Sequence, residues 1–178
     1  MKIETSMVKK LRITCIENLD PISVIAENFG VGSGKITIEC FGESWSHYWS
    51  HMGEKYTLET FFCEASDDYI AGKLCRGRED EPDWDGVPDR IRKEIIKIRR
   101  NGDIEKRQAR EYYYEASNVD SEVSAHFNEE MLNDLFGCEW FFIIPSSRPT
   151  REYKHLCRII PVVKAAFIEL CKSEQVAA

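Results

Sequence analysis

The sequence is poorest in the features that would announce a membrane protein or an enzyme. No uncharged apolar run approaches the roughly 18 residues of a membrane helix. The opening stretch, MKIETSMVKKLRITCIENLD, is interrupted by charges throughout and has no signal-peptide core, so the chain is expected to stay in the cytosol of its cell. Histidine is scarce: His47, His51, His126 and His155 are the four present. None lies in H-E-x-x-H, and no G-x-S-x-G occurs, so no catalytic residue is assigned. The seven cysteines, Cys15, Cys40, Cys63, Cys75, Cys138, Cys157 and Cys171, contain no C-x-x-C pair and are odd in number. Most sit in apolar runs such as ITCI, FFC and ELC, as buried free thiols do. There is no internal repeat and no low-complexity tract.

What is present suits a globular chain. The 178 residues are 43% hydrophobic and 31% charged, with 11% aromatics. A chain of that length buries about 70% of its unfolded surface and needs no staple to fold. The net charge is -7, so the molecule as a whole is not built to coat nucleic acid or an anionic membrane. The charge is uneven, however. An acidic stretch, Glu79 to Asp85 (EDEPDWD), precedes a basic one, in which Arg92 to Arg110 holds eight Lys or Arg against three acids.

The hydrophobic pattern predicts an α+β fold, with a small antiparallel sheet and short helices in the N-terminal half and a helical C-terminal half. Leu11–Ile16 and Lys35–Phe41 read as strands, with Ile22–Ile25 extending the first or forming another. Trp45, Tyr48, Trp49 and Met52 fall at i, i+3, i+4 and i+7, which predicts a short helix. Further helices are expected over Leu58–Ala65, capped by Thr57, and over Asp67–Cys75, capped by Ser66. Pro88 suits the start of a helix carrying Ile91, Ile95 and Ile98, stopped by Asn101-Gly102. A partner helix to about Ser117 would complete a helical hairpin. A further helix is expected over Asn128–Phe136, and Glu139–Ile144 reads as a buried strand or turn. The last helix, Tyr153–Lys172, is expected to be kinked or split by Pro161. The expected division is an α+β part over 1–75, an acidic exposed loop or linker over 76–88, and a mainly helical part over 89–178, packed as one globular unit.

Several residue sets could carry function. Gly30-Val-Gly-Ser-Gly-Lys35 resembles a phosphate loop only superficially: the spacing is wrong, Ile36 follows the lysine, and a strand follows where a helix is needed. His47 and His51, with Cys63 and Cys75, offer a tetrahedral donor set for zinc, but their spacing fits no established pattern, and no metal or cofactor is assigned. Trp45 and Trp49, with Asp83, Trp84 and Asp85, are candidates for gripping a protein partner; at such spacing the tryptophans also suit a core. Arg92, Lys93, Lys97, Arg99, Arg100 and Arg107 lie off the isoleucine stripe and could grip phosphates. They could equally form a solvated face with internal ion pairs such as Glu94–Lys97, or be neutralised by the acidic stretch folding over them. Glu39, Glu43, Asp67 and Asp68 are the acids available to a small enzyme.

The stretch Gly34-Lys-Ile-Thr-Ile-Glu-Cys-Phe-Gly-Glu-Ser-Trp45, with Tyr48-Trp49, Met52-Gly53, Glu59–Cys63, Asp68-Tyr69 and Lys73-Leu74, resembles a group of small proteins encoded by phages and prophages of enteric bacteria. Glu139-Trp140, Pro145, Pro149 and Tyr153-Lys-His-Leu-Cys-Arg-Ile-Ile160 are similar too. The resemblance implies an accessory protein made in an infected or lysogenic bacterial cell, and brings no catalytic residue with it. Together with the acidic, motif-poor sequence it favours a protein that binds a host macromolecule, inhibition of a host defence or nucleic-acid-processing protein being one form. The alternatives are a nucleic-acid-binding protein using residues 90–110, and a small enzyme or metal-binding protein.

Overall fold

A computed structural model describes residues 2–3 and 8–176, with side chains described as far as Ser173. The chain divides into two compact units, one within Met1–Glu79 and Pro149–Ala178, the other spanning Asp80–Arg148. The second unit is therefore an insertion between two segments of the first.

The first unit is built on a four-stranded antiparallel meander of β1 (Lys9–Ile13), β2 (Ile22–Gly30), β3 (Ser33–Cys40) and β4 (Glu43–Trp49), in that spatial order. Period-two alternation sends Ile22, Val24 and Ala26 of β2 and Ile36, Ile38 and Cys40 of β3 to one buried face. The register pairs Val24 with Ile38 and Ala26 with Ile36. That face is covered by α1 (Leu58–Glu64), α2 (Asp67–Cys75) and α8 (Arg151–Val176), whose Phe62, Leu74, Ile160 and Phe167 complete one core. Thr57 and Ser66 cap α1 and α2 through their side chains, as the sequence predicts.

The expected helix at Trp45–Met52 is instead β4, and the reason is local. Phe41 and Gly42 have φ of 52° and 78°, and between Cys40 and Glu43, which pair across β3 and β4, they form a two-residue turn of the primed kind that matches strand twist. A spacing of four is shared by a helix turn and by alternate strand positions, so Trp45 and Trp49 face the core either way. The glycine loop is equally structural. Gly32, at φ 70°, accepts from the Met52 N–H at 2.6 Å, and a Cβ on it would lie 2.7 Å from the Gly53 carbonyl oxygen.

Pro161 does not split the last helix. It lies inside α8, exposed to solvent, while Leu156, Ile159, Ile160, Val163 and Phe167 hold the buried stripe. The apolar face of α8 belongs to the core of the first unit.

The second unit holds α3 (Val87–Asn101), α4 (Lys106–Glu115), a 3-10 turn at Ala116–Asn118, α5 (Glu122–Phe127), α6 (Glu129–Phe136) and α7 (Trp140–Ile143). Its core gathers Val87, Ile91, Ile95, Ala109, Leu132, Trp140 and Ile144. Glu139–Ile144, read as a buried strand or turn, is thus mostly helix. The stretch read as an exposed acidic loop contains β5 (Asp80–Asp83), which pairs with β6 (Ser146–Pro149). Arg148 on β6 explains why so acidic a segment is ordered: its guanidinium donates to Glu81 Oε1 at 2.9 Å, to Asp83 Oδ1 at 3.1 Å and to Asp85. Charge-assisted bonds of this kind are roughly twice as strong as neutral ones.

Candidate functional site

The structure removes both β4 tryptophans from the surface. Trp45 and Trp49 are 4% and 5% exposed and belong to the core. Their indole N–H groups are satisfied internally, Trp45 donating to Glu152 Oε1 at 2.9 Å and Trp49 to the Tyr69 hydroxyl at 3.2 Å. They present nothing to a partner. Trp84 packs against the second core, and Asp83 and Asp85 are held by Arg148.

The four proposed zinc donors are not brought together. His47 lies on β4, His51 is exposed beyond it, Cys63 is on α1, and Cys75 is fully buried on α2. Among the described residues no group of three or more His, Cys, Asp or Glu is placed to hold a metal. Burial and the nearby Lys73 and Arg76 lower the pKa of His47. The cleft it lines, of about 510 Å³, contains Asp68 and Glu79 but neither Glu39 nor Glu43.

The basic segment is different. Gly102, at φ 90°, ends α3 with its N–H donating to Arg99 and Ile98 carbonyls, and a short connection leads into α4. The two helices face a common cleft of about 330 Å³. From α3 come Ile95, Ile96, Arg99 and Arg100, and from α4 Lys106, Ala109, Arg110, Tyr113 and Tyr114. The α4 residues are spaced i, i+3, i+4, i+7 and i+8, and the α3 residues i, i+1, i+4 and i+5, so each set occupies one helix face. The lining combines Ile95, Ile96 and Ala109 with two tyrosines and four cations, and includes no carboxylate. Tyr114 is 78% exposed and Tyr113 and Ile96 are half-exposed.

The six cations singled out from the sequence separate by role. Arg99 and Arg100 line the cleft. Arg92 is a fastening residue: it donates to Asp89 Oδ1 at 3.0 Å and to Ser117 Oγ at 2.6 Å, and its guanidinium lies 5.4 Å from the Tyr113 ring centroid. Lys97 pairs with Glu94 at 2.8 Å, and Arg107 with Glu111 at 3.7 Å. Lys93 is exposed but does not line the cleft. Arg99, Arg100, Lys106 and Arg110 have no ion pair among the described residues. No carboxylate of the acidic stretch forms an ion pair with them among the described residues; Glu81, Asp83 and Asp85 pair with Arg148 instead.

Sequence reading included Lys106 and Arg110 only within the basic range 90–110, without naming them as site residues, and missed Tyr113 and Tyr114. The signal was available in K-R-Q-A-R-E-Y-Y-Y, where Arg110 stands three and four residues before Tyr113 and Tyr114 and Lys106 one turn earlier on the same face. It becomes legible as a site only once a second helix supplies the opposite wall.

The model of a phage family, Phage_phiTE_072, matches residues 1–169. Neither a curated protein nor a solved structure matches. The chain belongs to that phage family. No helix among its described residues is long and apolar enough to cross a membrane.

Proposed function

We propose that this phage protein is an accessory factor that binds nucleic acid in the host cytosol through the α3–α4 face. The observation that carries the reading is the cleft itself: Arg99, Arg100, Lys106 and Arg110 unpaired beside two tyrosines with no carboxylate among the lining residues. Phosphate neutralisation by such cations releases condensed counterions and supplies sequence-independent affinity. The overall charge of -7 does not oppose this at short range, because screening at physiological salt confines each charge to about 8 Å.

The test is a salt series of binding to a labelled oligonucleotide by fluorescence anisotropy. Four phosphate contacts predict a log–log slope of about -3 to -4. Arg99→Glu with Arg100→Glu is expected to abolish binding, while Arg107→Glu, on a residue paired with Glu111 and outside the cleft, is expected to change it little. Absence of any shift for the unmodified protein at low salt ends the reading.

A second reading, binding of a host protein such as a nuclease, restriction or other defence complex, is favoured by a separate observation. Phe127 on α5 and Phe142 on α7 are 86% and 78% exposed. The rings of Phe141 and Phe142 lie 4.5 Å apart, and His126 of α5 contacts Trp140 of α7 at 5.5 Å. Exposed aromatics of this kind anchor protein interfaces. Affinity capture with the wild type and with Phe127→Ser/Phe142→Ser tests it: a stoichiometric partner lost from the variant supports it, and an equal yield from both defeats it.

A further inference from the structure

We infer that the cleft between α3 and α4 takes an unstacked base of a single strand, in preference to any part of a duplex. This deepens the nucleic-acid reading above and rests on it. The site is a shallow, open cleft between two helix faces, whereas sequence- or groove-reading of a duplex needs a protruding element, a helix or ribbon, inserted into a groove about 12 Å wide. Here four exposed cations share the cleft with the exposed Ile96, Tyr113 and Tyr114. A duplex laid across the cleft would touch the cations with its phosphates and leave the exposed Ile96, Tyr113 and Tyr114 uncovered, because its bases are stacked inside. A single strand satisfies both features at once. Its phosphates meet Arg99, Arg100, Lys106 and Arg110, and a base turned inward covers Ile96 against a tyrosine face.

The two tyrosines divide the work. Tyr113 is held in place by Arg92, whose guanidinium stands 5.4 Å from its ring centroid and is itself bonded to Asp89 and Ser117. That contact favours one ring orientation before any ligand arrives, which lowers the entropy lost on binding. Tyr114, 78% exposed, is the ring free to close over a base from outside. The volume of about 330 Å³ is at the lower limit of small-ligand sites, a size that suits one base.

The experiment compares oligo(dT) of about 20 nucleotides with a blunt duplex of the same length at one salt concentration. Tighter binding of oligo(dT), lost about 10-fold in Tyr114→Ala, is expected, since base–aromatic stacking is worth roughly that or more. Duplex binding by the same variant is expected to be unchanged. Tyr114 is too exposed for its removal to unfold the chain, and Ile96→Asp, at a half-exposed position on the opposite wall, provides a second variant that spoils the apolar lining. Equal affinity for duplex and single strand, or oligo(dT) binding unaffected by both variants, overturns the inference and leaves phosphate binding by this face standing. No binding of either probe by the wild type removes the broader reading as well.

Discussion

The Asn28 side chain grips the start of α1 from both sides: its amide donates to Glu59 Oε2 at 3.1 Å, and its oxygen accepts from the Leu58 N–H at 2.7 Å. Glu59 is 5% exposed, with its other oxygen 3.6 Å from Lys9 Nζ. A buried carboxylate without partners would be costly; β2 and β1 supply the partners across 31 and 50 positions of chain. Burial raises the Glu59 pKa, but the bonds from Asn28 and the backbone, with Lys9, outweigh it, and the net shift is downward. Asn28→Ala leaves both the carboxylate and a helix-start N–H unsatisfied. It is expected to cost about 1–3 kcal/mol, read from urea unfolding at neutral pH.

The same group gives a signed pH dependence. Because its folded pKa is depressed, Glu59 stabilises the fold above the ordinary glutamate range near 4.3, and that contribution is lost as pH falls through the lower folded value. The stability difference between wild type and Glu59→Gln is therefore expected to shrink as pH is lowered from 5 toward about 2. A constant difference across that range contradicts the assignment.

His47 acts in a higher window. Its folded pKa is lowered, first by burial and then by Lys73 and Arg76. The unfolded chain then binds the proton more readily, so stability is expected to fall as pH drops below about 6.5. His47→Gln should flatten the thermal-stability profile between about pH 7 and 5; an unchanged profile contradicts this.

Trp45 offers a direct check on whether the aromatic strand is core or contact surface. With its ring buried and its N–H bonded to Glu152, Trp45→Ala is expected to cost about 3–5 kcal/mol. A variant that keeps full stability in denaturant unfolding contradicts its placement.

The thiols sort by burial. Cys15 and Cys138 are exposed and Cys40 and Cys75 are buried. Burial, reinforced by Glu152 and Glu79, pushes the Cys75 thiol up to about 11, so it is neither accessible nor ionised at neutral pH. Timed alkylation followed by peptide mass mapping is expected to label Cys15 and Cys138 first and Cys75 only on unfolding. Early labelling of Cys75 contradicts the packing of α2.

The legibility of the sequence differed by element. Caps and stops with local chemistry were readable: Thr57, Ser66, Pro88 and Gly102 act where their side chains or backbone predict. The meander was readable from alternation in Ile22–Ala26 and Ile36–Cys40. Trp45–Trp49 was misread because a spacing of four serves strand and helix alike, and the deciding turn, Phe41-Gly42, depends on backbone angles that Phe seldom adopts. Arg148 was invisible for a different reason: its three carboxylates lie more than sixty positions upstream, and no local rule links them. The basic segment was legible as a cluster of charge, yet which of its cations stay unpaired was decided by Glu94, Glu111, Asp89 and Arg148.

The insertion of the second unit has a consequence for how such a chain can change over generations. The Thr150 N–H donates to the Glu79 carbonyl at 2.8 Å, and its hydroxyl to the Arg78 carbonyl at 2.9 Å. The exit and re-entry points of the host scaffold are thus tied side by side, like the two ends of a clasp. A graft at that clasp, shorter or longer, meets no stretched backbone. The span between the two ends of the scaffold is therefore set by the clasp itself, whatever length of chain leaves and returns there.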